Sequence, residues 1–211
     1  MRQITVYSDY VCPYCLLAEQ VLSQAIGERD IRISWRAFEL RPEPAPTLRT
    51  DAPYLPSVWR KSVYPLAERL GVPIQLPSIS PQPRTAKAFQ LLALAQDSGL
   101  DHAYSMRVLR AFFQEDRDIG DDEILITLAG EVGLDQDEAR SVLEDGVHAE
   151  RHQEALRHAR EDVAITSVPT IVVGKRVLRG MPPLQELEAA LDQLDQAMGP
   201  ENQSNQTITG D

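Results

Sequence analysis

Two residues of this 211-residue chain have the type and spacing to do chemistry on their own: Cys12 and Cys15, its only cysteines, standing as Cys12-Pro13-Tyr14-Cys15. The chemistry open to such a pair is disulfide exchange, in which a thiolate attacks a disulfide and a second thiol resolves the mixed species. Just before the pair runs Gln3-Ile4-Thr5-Val6-Tyr7, a short β-rich stretch, and just after it Leu16 to Leu22 has helical spacing. A strand that turns through Cys-Pro-x-Cys into a helix places the first thiol at a helix N-terminus. There the unpaired backbone N–H groups and the positive end of the helix dipole favour an anion. Cys12 is therefore the expected attacking thiol. Pro13 takes the first helical position, where a missing N–H costs nothing. Cys15, one turn further on, is placed to close or resolve a disulfide.

Other readings of the same residues are weaker. A closed zinc site needs four ligands, and the remaining candidates are His102, His148, His152 and His158, more than eighty residues away. His148 and His152 stand at i, i+4, a spacing that suits a metal but more commonly marks a solvated helix face. Plain core cysteines are an equally bland alternative, but a Cys-Pro-x-Cys at a strand-to-helix junction is a more specific signal than C-x-x-C alone.

Composition narrows the functional classes. A net charge of −11 lacks the basic footprint that nucleic-acid binding requires. No run of about 18 apolar residues spans a membrane. The N-terminus enters the first strand directly, without a basic region, an apolar core and a cleavage site. If Met1 is the native start, a cytoplasmic location follows, and there thiol pairs are usually catalytic or redox-sensing.

The elements that must position the pair follow in order. A helix is predicted from about Pro13 to Ile26, stopped by Gly27, and Ile31–Phe38 alternates apolar and polar residues like a strand. The two strands are expected to be parallel with a right-handed crossover. Prolines 42, 44, 46, 53 and 56 then make an irregular linker. Helical patterns follow at Val58–Leu70, at Thr85–Ser98, after a capping Asp101, after Asp121 or Asp122, from a capping-box-like Asp135 and Glu138, and at Val147–Val163. Their apolar stripes are most simply core. Thr170–Val173, a Gly174-Lys175 turn and Arg176–Arg179 predict a hairpin, and Pro182-Pro183 opens a last helix through Leu184, Leu187, Leu191 and Leu194. The fold expected is α/β: a thioredoxin-like domain over 1–40 and 164–198, interrupted by an inserted helical domain over 41–163, with a disordered tail over 199–211.

Ser8 to Cys15, Phe113 to Ile119, Val168-Pro169-Thr170 and Arg179 to Pro183 together resemble the DsbA family of thioredoxin-like proteins. The resemblance is to its FrnE-like branch, related to 2-hydroxychromene-2-carboxylate isomerases and kappa-class glutathione transferases, and covers roughly residues 3 to 197. It implies a Cys12–Cys15 redox pair with Pro13 and Tyr14 as its motif. It also implies a cis Val168–Pro169 bond lying opposite Cys12, where that backbone pairs with an extended substrate and keeps metal off the thiols. Two departures stand out. The strand before the cysteines offers Val6 where relatives often carry a buried acid, and the nearest acid, Asp9, reads as a loop or capping residue. Tyr14 stands where bacterial periplasmic oxidants have histidine and cannot supply its charge to a thiolate, so a less oxidising protein is expected.

The leading functional expectation is a thiol–disulfide oxidoreductase, working as reductase or isomerase on protein or small-molecule thiols. No metal and no resident cofactor are expected, with glutathione a candidate co-substrate. The rival is a glutathione-dependent isomerase or transferase, although those branches typically place serine at the first thiol. A third reading is a chaperone that binds clients in the groove beside the helical insert.

Overall fold

The computed structural model describes residues 2–197, so the expected tail over 199–211 lies outside the described residues. The chain opens with strand β1 (Arg2–Ser8), helix α1 (Pro13–Ile26) and strand β2 (Ile31–Ala37). It closes with β3 (Thr170–Val173), β4 (Arg176–Arg179) and α9 (Leu184–Ala197). The four strands form one sheet in the order β2-β1-β3-β4. The β1–β2 pair is parallel, with Val6 opposite Trp35, and the pairs β1–β3 and β3–β4 are antiparallel. This is the thioredoxin-like α/β fold expected, with helices between β2 and β3.

The sequence explains why α1 starts and stops where it does. Pro13 occupies its first turn, and Gly27 follows its end with a positive φ of 52° that an L side chain rarely adopts. Its buried face, Leu16, Leu17, Val21 and Leu22, packs into a core shared with Ile4 and Val6 of the central strand. The register of β1 between β2 and β3 thus fixes where the strand releases the chain into the Cys12 loop.

Between β2 and β3 the described chain is helical. A rod of α2 (Tyr54–Val58), a π-helical turn (Trp59–Val63) and α3 (Tyr64–Leu70) comes first. It begins four residues earlier than the apolar pattern suggested. The wider turn falls just before Pro65, whose ring and missing N–H do not fit a regular helix interior. Then come α4 (Ala86–Asp97), α5 (Asp101–Glu115), α6 (Asp122–Glu131), α7 (Gln136–Asp145) and α8 (Ala149–Glu161). Asp121 and Asp135 are true caps: Asp121 accepts from the Ile124 N–H, and Asp135 from the N–H groups of Asp137 and Glu138.

Asp101 corrects the reading from sequence. It is the first residue of α5, not its cap, and its carboxylate reaches across to β2. There it accepts from the Trp35 N–H at 3.1 Å and from Arg32 at 2.9 Å. On an edge strand this occupies a backbone donor that no neighbouring strand would use.

Candidate active site

Cys12 is the N-cap of α1, with extended backbone (φ −97°, ψ 110°) and no side chain capping the helix. Its N–H donates to the Asp9 carbonyl, and the Cys15 N–H donates to the Cys12 carbonyl, each at 3.0 Å. This tight turn carries the chain from the end of β1 into the helix and brings the two cysteines to 3.7 Å, both as free thiols. Both cysteines are buried, Cys12 at 5% exposure and Cys15 at none. Burial pushes the Cys15 thiol well above the ordinary range, the neighbouring Cys12 adds to this, and the Ser8 hydroxyl and Asp9 N–H oppose it.

The Val168–Pro169 bond is cis and meets Cys12 across the site. The Cys12 thiol points at the Val168 carbonyl at 3.6 Å. The Pro169 carbonyl is taken by the Gly180 N–H at 2.8 Å, which ties the loop to the end of β4. Of the residues singled out in the sequence, Cys12, Pro13, Tyr14 and Val168 all line one cleft of about 240 Å³. Its far wall is apolar: Leu40, Leu48, Leu55 and Trp59, with Tyr54 at the rim. Tyr54 and Leu40 are 61% and 43% exposed, unusually so for side chains of their size. Trp59 is buried and wedged against Tyr64 and Phe113, with ring centroids at 5.3 Å and 5.8 Å, so the π-helical turn presents a rigid wall. Sequence reading missed this wall, because its residues come from the proline-rich stretch and the rod that follows.

Asp9 lies in the loop between β1 and α1, as expected, but its carboxyl is buried and does not cap the helix. The residue is 1% exposed, and one carboxylate oxygen accepts from the Leu40 N–H at 2.7 Å while the other has no partner among the described residues. Burial pushes its carboxyl up to about 6; the hydrogen bond from the Leu40 N–H opposes this, and the nearby Glu39 adds to it. Glu39 is itself buried and meets His152 of α8, Oε1 to Nε2, at 2.5 Å. His152 also stacks on Phe89 at 5.4 Å, and Phe89 on Tyr10 at 4.6 Å. So His152 lies in the interior, not on the solvated face expected from its i, i+4 spacing with His148. A signal was present: His152, Leu156 and Ala159 fall on one helical stripe, and all three are buried.

No histidine lines the thiol cleft, and three of the four have side-chain partners. Besides the Glu39–His152 pair, the His102 ring accepts from the Trp35 indole N–H at 2.8 Å, and His158 meets Asp162 at 2.6 Å. No group of three His, Cys, Asp or Glu side chains among the described residues is placed to hold a metal ion. Nor is any helix among them long and apolar enough to cross a membrane.

A mixed four-stranded sheet, a dithiol at the first strand-to-helix turn and a cis-proline loop facing it define a thioredoxin-like protein with helices set between its second and third strands. Comparison with known proteins agrees. Residues 3–192 match the DSBA-like thioredoxin domain, and the chain belongs to that family. It is 44% identical over 178 residues to the uncharacterized protein YwbO of Bacillus subtilis, covering 84% of this chain and 89% of that one. Among solved structures it resembles a probable DsbA oxidoreductase from Streptomyces coelicolor, with a TM-score of 0.77, 24% identity and coverage of 92% and 90% of the two chains. It also resembles a 2-hydroxychromene-2-carboxylate isomerase, with a TM-score of 0.74, 21% identity and coverage of 91% and 95%. A third likeness is the cytosolic disulfide reductase DsbM of Pseudomonas aeruginosa with glutathione, at a TM-score of 0.63, 18% identity and coverage of 90% and 98%. At these identities the structural likenesses speak for the fold.

Proposed function

We propose that this protein is a thiol–disulfide oxidoreductase, working as a reductase or isomerase, with Cys12 and Cys15 as its redox pair. The observation that carries the reading is a pair of free thiols 3.7 Å apart at the N-terminus of a helix, the first of which lines a cleft. The Cys12 thiolate attacks one sulfur of a substrate disulfide. A Cys12–substrate bond forms, and the other substrate sulfur leaves with the electron pair and takes up a proton. Cys15 then loses its proton and attacks Cys12. The Cys12–Cys15 disulfide forms, the second substrate thiol departs, and the pair has been oxidised by two electrons as the substrate was reduced. Reduced glutathione, or another thiol of that class, returns the pair to the dithiol. Pro13 shapes the turn, Tyr14 walls the cleft, and the Val168–Pro169 loop holds the substrate backbone opposite Cys12. The cytoplasm is the compartment that suits this direction of exchange.

Trapping tests the assignment. Cys15→Ser is expected to accumulate mixed disulfides with protein or glutathione on non-reducing gels, and Cys12→Ser to accumulate none. Equal trapping by the two variants would remove both roles.

The apolar wall of the cleft suits a second reading, glutathione-dependent isomerisation of a small aromatic substrate. Isomerisation that survives Cys12→Ser would favour that reading over the first.

A further inference from the structure

One charged side chain lines the cleft beside Cys12: Arg41. The far wall is apolar, and Gln82, 5% exposed, adds a buried amide to the lining. Arg41, Gln82 and Val11 line both this cleft and a smaller recess beside it, so they stand together where the two meet.

The loop holds Arg41 in place. The Leu40 N–H before it donates to Asp9 at 2.7 Å, and the Arg41 carbonyl accepts from Arg84 at 2.7 Å. One guanidinium nitrogen of Arg41 donates to the Pro46 carbonyl at 3.2 Å. A guanidinium has five N–H donors, so a fork for a carboxylate remains. The acids along the same loop are committed, Glu39 to His152, and Glu43 to Arg84 at 3.8 Å.

The chain carries a net charge of −11, so its field repels anions at a distance. A cation set beside the thiol in an apolar cleft reverses that locally. The cleft, at about 240 Å³, is smaller than the roughly 300–1,000 Å³ of sites for drug-sized ligands, so it takes one arm of a disulfide. Resting on the reading that Cys12 attacks the substrate disulfide, we propose that Arg41 makes this protein selective for disulfides whose apolar arm bears a carboxylate. The arm lies against Leu48, Leu55 and Trp59, and its carboxylate takes two N–H bonds from Arg41, with the Gln82 amide as a further donor. The Cys12 thiolate bonds to the sulfur of that arm as the substrate S–S bond breaks. The other arm leaves with the electron pair and takes up a proton.

The test is stopped-flow reaction of the reduced protein with two disulfides that release a chromophore as the S–S bond breaks. Dithiobis(nitrobenzoate) carries a carboxylate on each arm, and dithiodipyridine carries none. In Arg41→Met, which keeps an unbranched apolar stem, the second-order rate constant for dithiobis(nitrobenzoate) should fall about fivefold. The same variant should react with dithiodipyridine as wild type does. Arg41→Lys, which keeps the charge without the fork, should lose less. The gap between Arg41→Met and wild type should close as salt is raised to about 0.5 M, as for any exposed ion pair. Arg60→Met removes an exposed cation from the π-helical turn without touching the cleft lining, and should leave both rates unchanged. An unchanged dithiobis(nitrobenzoate) rate in Arg41→Met overturns the inference. So does equal slowing on both disulfides, which would mean that Arg41 acts on Cys12 or on the shape of the loop. A loss in Arg60→Met that matches the loss in Arg41→Met overturns it too, by making the effect one of overall surface charge. If Cys12→Ser reacts with either disulfide as fast as wild type, Cys12 is not the attacking thiol, and the proposed function falls together with this inference.

Discussion

Replacing Asp9 by asparagine removes a buried charge while keeping an acceptor for the Leu40 N–H. The Asp9 carboxyl sits near 6 in the fold, against 3.8 for an ordinary aspartate, because burial disfavours its ionised form. An acid with a raised folded value binds its proton more tightly in the native state. Between about pH 4 and 6 the unfolded chain therefore gives up this proton before the folded one does, and rising pH erodes stability across that window. The difference is about two pH units, and at about 1.4 kcal/mol per unit the erosion is complete above pH 6 at about 3 kcal/mol. Asp9→Asn carries no such proton. In urea titrations of the reduced proteins it should be indistinguishable from wild type near pH 4 and more stable by about 2–3 kcal/mol at pH 7. Taking the difference between the two proteins cancels every other titration they share. A difference that does not change with pH, or a wild type that is the more stable protein at pH 7, would refute the placement of Asp9 as a buried, poorly compensated carboxylate.

Two further outcomes are expected. His152→Ala leaves the Glu39 carboxylate buried without its partner, and should lower unfolding stability by about 3–5 kcal/mol in denaturant titration. Tyr54→Ser changes a rim residue that is 61% exposed, so stability should stay within about 0.5 kcal/mol. Its KM for an apolar disulfide should nonetheless rise severalfold, with turnover of a small polar disulfide unchanged. Equal loss on both substrates would show that the apolar wall does not select.

What the sequence determined by itself was everything set by neighbours along the chain. Pro13 and Gly27 bound α1 because each constrains its own backbone. Asp121 and Asp135 cap helices because their side chains reach N–H groups two or three residues on. Alternation marked the strands, and the Cys12–Cys15 spacing put two thiols one turn apart. The family motifs extended this to the Val168–Pro169 loop, 156 residues from Cys12 in sequence. What only the tertiary structure decided was burial and partnership across long separations. Asp9 and Asp101 have the same side chain as the two capping aspartates. They differ because Asp9 is enclosed beside Leu40 and Asp101 is drawn onto the Trp35 backbone, 66 residues away. His152 shows the physical reason most plainly. An isolated i, i+4 histidine spacing favours solvent, but Glu39, 113 residues distant, supplies the partner that makes its burial tolerable. The cleft wall of Leu40, Tyr54 and Trp59 was likewise unreadable, since no local pattern says which apolar side chains a folded chain will turn toward a thiol.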